Sequence, residues 1–439
     1  MQVVKLPTNK TTLPRTGTLR STDYVAACDS VYPTSAHFSD DFTYRDYLHA
    51  VAALRMRGRS NALALYFNLP FFDAHTYSGD SGNVVSIGSE NAALYLSYLK
   101  REIKLQGRLL SGMNRVEGLH FSGAPLCLNQ TQLEELMLHV HRWFKFAPGK
   151  KGEYSIEVDP YQVAPERLYG LRELGFNRIC LLVGSGNMAM HHGDDRIKRT
   201  TGFQPMIEVS RAADFRSIKV TLVCSPSQRH RTSDMDALAE VIKAKPDRIG
   251  ITYPAQALDT RHPVRADDEL MDMCARSGYI HVGLDQFALP ADDWIIAQTQ
   301  GRLHHNLYGY STRADMNLIS FGVSAISSVG GSYSQNVQRF DAYYDSLDRN
   351  ELPVARGMRL SIDDILRRTI VEMLTCQFEL SIPVIEQAFS ISFAEYFQRE
   401  YLMLAEFERC GLVAIELEWL TITATGRKRI RDISMVFCR

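Results

Sequence analysis

No two cysteines stand close together in this chain. The eight, Cys28, Cys127, Cys180, Cys224, Cys274, Cys376, Cys410 and Cys438, are nowhere nearer than 28 residues apart. Zinc, iron–sulfur and redox sites usually start from a C-x2-C or C-x3-C pair, because one short loop then aims two thiolates at one centre. No such pair occurs. Scattered cysteines are read instead as small buried hydrophobes. Long apolar runs are absent too. No uncharged apolar stretch of about 18 residues exists, so no transmembrane helix is expected. The opening MQVVKLPTNKTTLPRTGTLRSTDY has no apolar core of signal-peptide length. Charge of one sign is not in excess either: 49 basic residues face 50 acidic ones, for a net charge of −1. Long-range attraction to nucleic acid or to an anionic membrane is thereby removed. The expectation is a cytoplasmic protein with no nucleic-acid partner and no membrane insertion.

What is present is alternation. Short apolar runs stand at LALYF (63–67), VEGLHF (116–121), YSIEV (154–158), RICLLV (178–183), IKVTLV (218–223), RIGITY (248–253) and YIHVGL (279–284). Segments of helical spacing separate them at 89–106, 130–145, 164–174, 232–244 and 265–276. Runs that alternate with helices in this way predict βαβ units and a parallel sheet. At least six units without a glycine-rich dinucleotide fingerprint fit an open or partial (β/α) barrel, with its site where the strands end. Residues 1–58 read as an irregular arm followed by an amphipathic helix, 59–348 as the α/β barrel, and 349–439 as a helical domain. In the last, LVAIELEWLTITATG predicts a hairpin among helices, hence a winged-helix-like unit. Its basic run RKRIRD is read as a solvated helix face and not as a DNA-binding element.

The motifs YPTSAHFSDDF, LALYFNLPF, YSIEVDP, LRELGFNRI, KPDRIGITY, GLDQFALPADD, LHHNLYGYSTRADMNLISFGVSAIS, DDILRRTIVEML and GLVAIELEWLTITATGRKRIRDISM follow one another over nearly the whole chain. Together they resemble the oxygen-independent coproporphyrinogen III oxidases. The resemblance implies a partial (β/α)6 radical-SAM barrel with an N-terminal arm and a helical C-terminal domain. It implies a [4Fe–4S] cluster that reduces S-adenosylmethionine (SAM) to a radical, and a reaction that turns two propionates of coproporphyrinogen III into vinyl groups.

The family's C-x3-C-x2-C follows the first strand. Here the aligned positions are Phe72, Thr76 and Gly79, in LYFNLPFFDAHTYSGDSGN. None offers the soft anionic sulfur that iron–sulfur ligation needs. Asp73, His75, Tyr77 and Asp80 offer harder donors, but the loop reads first as polar surface. Tyr66, Glu157, Arg196, Ala255 and Val329 stand where the family contacts SAM. The glycine-rich loop is shortened to Ser122, Gly123, Ala124 and Pro125. Gly184 and Thr221 replace a family Gln and a family Asp. The resemblance thus implies a cluster-free paralogue with weak or no SAM binding, and no catalytic residue is assigned. A porphyrin, porphyrinogen or haem is the expected ligand. Two alternatives stand beside this reading: an active oxidase, and a non-catalytic subunit that partners one. His120, His191, His192, His304 and His305 are candidate ligands of a metal or haem, with His304 and His305 favoured as lying near the barrel mouth. Cys127 and Cys224 are further candidates for a haem ligand.

Overall fold

The computed structural model describes residues 31–56, 62–70, 89–113, 115–147, 152–161, 163–184, 203–224, 231–253, 268–313 and 316–438. Its strands are β1 (Leu63–Leu69), β2 (Arg115–Gly123), β3 (Lys145–Phe146), β4 (Glu153–Val158), β5 (Arg178–Gly184), β6 (Ser217–Val223), β7 (Arg248–Thr252), β8 (Ile280–Gly283), β9 (Gln286–Ala288), β10 (His304–Asn306), β11 (Gly309–Ser311), β12 (Asn317–Phe321), β13 (Ile326–Val329), β14 (Ser332–Asn336), β15 (Val354–Arg359), β16 (Glu379–Ser381), β17 (Val413–Ile415) and β18 (Trp419–Ile422). The helices around the sheet are α1 (Tyr44–Met56), α2 (Ser89–Leu109), α3 (Gln130–Trp143), α4 (Arg167–Glu173), α5 (Gln204–Ala212), α6 (Arg231–Ala244), α7 (Asp268–Arg276), α8 (Asp293–Thr299) and α9 (Phe340–Asp348). The C-terminal region carries α10 (Ile362–Gln377), α11 (Ile382–Phe389), α12 (Phe393–Tyr396), α13 (Gln398–Arg409) and α14 (Ile430–Met435).

The main sheet runs β15-β14-β13-β12-β1-β2-β4-β5-β6-β7-β9-β8. From β12 to β7 every neighbour is parallel. Along β1, β2, β4, β5, β6 and β7 the spatial order is the chain order, so no switch point of the Rossmann kind arises. The helices then lie on one side, and the sheet curls around a lumen on the other, as a partial barrel does. Local chemistry supports these elements. Asn129 caps α3 by accepting from Gln132 N, and the Gln132 side chain reaches back to Asn129 N. Ser361 and Asp364 form the same reciprocal cap at the start of α10.

The two faces of the sheet differ. Outward-pointing Leu63, Leu65, Phe67, Phe121, Ile156, Val183, Leu222 and Ile249 are each at most 1% exposed and pack beneath the helices. Inward-pointing Tyr66, His120, Ser155, Glu157, Leu182, Lys219, Thr221 and Thr252 all keep solvent-accessible surface. Alternation along each strand, at the two-residue repeat of β-structure, produces this division.

Two expectations need correction. YIHVGL does not extend the parallel set: β8 pairs antiparallel with β9, which pairs antiparallel with β7. Leu284 and Asp285, with φ of 46° and 61°, reverse the chain in a tight turn, the backbone that primed hairpins require. The basic run RKRIRD is not a solvated face. Lys428 pairs with Asp272 at 2.5 Å, Arg429 with Asp268 at 2.8 Å and Arg431 with Asp285 at 3.3 Å. These contacts join the C-terminal region to α7 and to the β8–β9 turn. The hairpin β17–β18 forms as its sequence predicts, and β16 adds a third strand beside β18.

Candidate functional site in the barrel lumen

The lumen is built from alternate residues of successive strands. On β1, the ring of Tyr66 stacks between Tyr308, from the β10–β11 turn, and His120 on β2. The Tyr66 hydroxyl accepts from Ser122 Oγ. His120 Nδ1 meets Ser155 Oγ at 2.6 Å, and its Nε2 lies 3.5 Å from Glu157 Oε1. The other oxygen of Glu157 accepts from Gly123 N at 3.0 Å. Both carboxylate oxygens therefore have a partner within the chain. Arg178 pairs elsewhere, with Glu153 and Asp293.

Gly123 ends β2 at φ +85°, and a Cβ there would meet Leu69 O at 2.4 Å. Only glycine fits this close crossing of β1. Ala124 N donates to the same carbonyl at 2.9 Å. The Ser122–Pro125 loop is thus tied down onto the end of β1. Thr221 Oγ1 sits 3.4 Å from Cys180 Sγ, and Gly184 closes β5. Tyr66, Gly123, Glu157, Gly184 and Thr221 share the inward side or the strand ends. Val329 does not: it is 1% exposed and belongs to the core on the helix side. Phe72, Thr76, Gly79, Arg196, Ala255, His191 and His192 lie outside the described residues, as do Asp73, His75, Tyr77 and Asp80.

The floor of the lumen is ionic. Arg248 Nε is 3.0 and 2.9 Å from the two oxygens of Asp292, and its guanidinium lies 3.9 Å from the Trp294 ring centroid. Glu153 takes hydrogen bonds from Thr312 Oγ1 at 2.8 Å and Ser311 Oγ at 3.2 Å. Burial works to raise its carboxyl, but Arg178, Arg248 and the two hydroxyls outweigh that and hold it below the usual glutamate value. His304 and His305 belong to the hairpin that supplies these hydroxyls. They are at the end where Glu153 begins β4, and not at the mouth. His304 Nδ1 contacts Glu372 Oε1 on α10 at 2.8 Å. His305 packs against Tyr310. Burial first, then Arg431 and Lys219, push its ring down to about 3, so it is neutral.

Cys224 is fully buried and Cys127 is exposed. Burial pushes the Cys224 thiol far up, which opposes the thiolate needed for ligation. Among the described residues no group of three or more His, Cys, Asp or Glu side chains is arranged to hold a metal ion. No helix among them is long and apolar enough to cross a membrane.

Three lumen residues escaped the reading of the sequence. Ser155 and Lys219 stand two positions before Glu157 and Thr221, so strand alternation alone puts them on the same face. Tyr308 had no such signal, because its place depends on how the β10–β11 hairpin folds against β1.

Residues 360–428 match the family described as HemN C-terminal domain. The chain is 34% identical over 424 residues to the oxygen-independent coproporphyrinogen III oxidase of Pseudomonas aeruginosa, covering 93% of this chain and 92% of that protein. It is 32% identical over 422 residues to the enzyme of the same name from Escherichia coli. A solved structure described as coproporphyrinogen III oxidase (HemN) from Escherichia coli, a radical SAM enzyme, superposes with a TM-score of 0.81 at 30% identity, covering 93% of this chain and 96% of that one. On sequence over nearly its full length, and on fold, the chain belongs to the oxygen-independent coproporphyrinogen III oxidase family.

Proposed function

We propose that this chain is a member of the family that assembles no [4Fe–4S] cluster and serves haem synthesis by binding a porphyrinogen, porphyrin or haem. One observation carries the reading: Phe72, Thr76 and Gly79 occupy the three thiolate positions. Phenylalanine has no donor atom and glycine has no side chain. The hydroxyl of threonine is a hard donor that does not replace a soft thiolate on iron. The four cysteines buried among the described residues, Cys180, Cys224, Cys274 and Cys376, belong to separate elements. SAM binding is weakened in the same direction. The glycine-rich loop is one residue short, Gly184 and Thr221 lack the family side chains, and Glu157 is engaged by Gly123 and His120. The polar inward face of the barrel is nevertheless kept, which suits a ligand with apolar rings and charged arms.

The test is anaerobic reconstitution with iron and sulfide, followed by assay of both. The expected result is no stoichiometric cluster, together with absorption or fluorescence changes on titration with coproporphyrin III or haem. Loading near four irons per chain sinks the reading. The triple change Phe72→Cys, Thr76→Cys, Gly79→Cys is expected to load partly and to turn over no coproporphyrinogen III. Radical transfer needs SAM placed to well within about 1 Å, and the shortened loop is not rebuilt by those cysteines. Identity to curated oxidases over 92% of their length favours a second reading, an active enzyme. Multiple turnovers by the unmodified chain establish that one. A colourless chain that co-purifies with an oxidase establishes the partner-subunit alternative.

A further inference from the structure

Among the described residues, the arginines at the floor and back of the lumen have carboxylates, whereas Lys219 does not. Arg178 has Glu153 and Asp293, Arg248 has Asp292, and Arg431 has Asp285. Lys219, at the centre of β6, makes no hydrogen bond or ion pair among the described residues. Its ammonium lies 5.7 Å from the centroid of Trp294, and its side chain is half-buried. A half-buried ammonium beside an aromatic face and without a carboxylate partner is open to an anionic group of a ligand.

Its surroundings are uncommitted as well. Gly250, the neighbour of Thr221 on β7, lets the side chains of Lys219 and Gln286 close over its backbone. A Cβ there would lie 3.1 Å from Lys219 Cε and 2.9 Å from Gln286 Oε1. Gln286 Oε1 is buried without a hydrogen-bond partner. Toward the mouth, Leu182, Thr221 and Glu157 on the inward face keep accessible surface.

We propose that Lys219 is the anchor for one carboxylate arm of the bound tetrapyrrole, received at the inward face of β6. The inference rests on the tetrapyrrole-binding reading above. The ammonium supplies both the charge and a charge-assisted hydrogen bond to the carboxylate. A propionate suits the slot, because its two methylenes can lie along Leu182 while its carboxylate reaches Lys219.

The experiment compares coproporphyrin III with its tetramethyl ester, titrated into the full chain and into Lys219→Met and Lys219→Arg, with binding read by porphyrin fluorescence. A lost charge-assisted hydrogen bond predicts binding of the acid weakened by about 10- to 100-fold in Lys219→Met. Lys219→Arg should keep more of the affinity than Lys219→Met. Binding of the ester should not respond to either change, a selectivity that general loosening of the barrel does not produce. Should Lys219→Met fail to fold by circular dichroism, Lys219→Gln carries the same comparison. Equal affinity of the neutral variant and the unmodified chain for the acid overturns the anchor and leaves the tetrapyrrole reading standing. Failure of the unmodified chain to bind either porphyrin overturns both.

Discussion

The helix side and the lumen side of the barrel sheet are made by the same strands, yet they obey different rules. On the helix side, side chains such as Phe67, Phe121 and Phe321 interlock, with ring centroids of Phe67 4.6 Å from each of the other two. On the lumen side, the rings and hydroxyls of Tyr66, Ser122, His120 and Ser155 form a chain of contacts that ends on Glu157. The first side is closed by apolar packing, which tolerates little change of volume. The second is closed by pairing of polar groups, so its residues can be exchanged as long as partners are exchanged with them. The positions where the sequence reading places departures from the family pattern, Ser122, Ala124, Gly184 and Thr221, lie on the second side or at its strand ends. The fold depends on the first.

That contrast can be broken from either side. The largest effect is expected on the helix side, where Phe121→Ala should cost about 4 kcal/mol by opening a cavity between Phe67 and Phe176; chemical denaturation measures it. Next comes the ionic floor. Asp292→Ala leaves Arg248 buried without its carboxylate, both side chains being at most 6% exposed, and should cost about 3 kcal/mol. Loss below about 1 kcal/mol at that position would show that the floor is wetter than its burial indicates.

Glu102 on α2 sharpens the comparison, because it is a carboxyl on the apolar side. It accepts from Gly322 N at 2.9 Å, Asn336 Nδ2 at 2.7 Å and Tyr343 Oη at 2.7 Å. Burial nevertheless raises it to about 7, against the lowering by Tyr343, Gly322 and Asn336. A carboxyl raised on folding binds more protons in the folded than in the unfolded chain. Its stabilising contribution is complete below the ordinary glutamate value, near pH 4.5, and is lost as pH rises through about 7. Between pH 5 and pH 8 the unmodified chain should lose on the order of 3 kcal/mol relative to Glu102→Gln. Urea midpoints of both proteins at the two pH values are the measurement, and parallel pH profiles would refute it.

The smallest effects are expected where partners are exposed or replaceable. Thr221→Val changes one lumen hydroxyl and should move stability by less than about 1 kcal/mol. Asp268→Ala removes the partner of Arg429, a pair with both side chains more than a quarter exposed, and should also cost under about 1 kcal/mol. Thermal melts that place either variant with Phe121→Ala would erase the distinction drawn here.

The sequence made the parallel core legible because each strand carries its own signal: an apolar run, a two-residue alternation and a following helix. The candidate site was legible to the same depth, since Tyr66, Glu157 and Thr221 lie on strands whose direction and face are set locally. Contacts between distant segments were not. The turn at Leu284 and Asp285 uses left-handed backbone without glycine, so no residue announced it. Lys428, Arg429 and Arg431 looked like a solvated run because Asp272, Asp268 and Asp285 lie about 150 positions away in sequence. Tyr308 carried no signal of its own, and only the folded hairpin lays it on Tyr66.

Among the described residues, β15 and β8 end the sheet without meeting. In a closed barrel the strand number and stagger fix the bore, and widening it breaks a ladder of hydrogen bonds. Here circumference is not a conserved quantity. The floor of the open barrel is a separate piece, the β10–β11 hairpin, which meets β1 through Tyr308 and β4 through Ser311 and is held to α10 through His304–Glu372 and Tyr310–Thr375 O. Change in that piece retunes the caliber of the chamber without a register shift in any parallel strand. A single scaffold of this kind can host guests of different girth while its parallel strands keep one register.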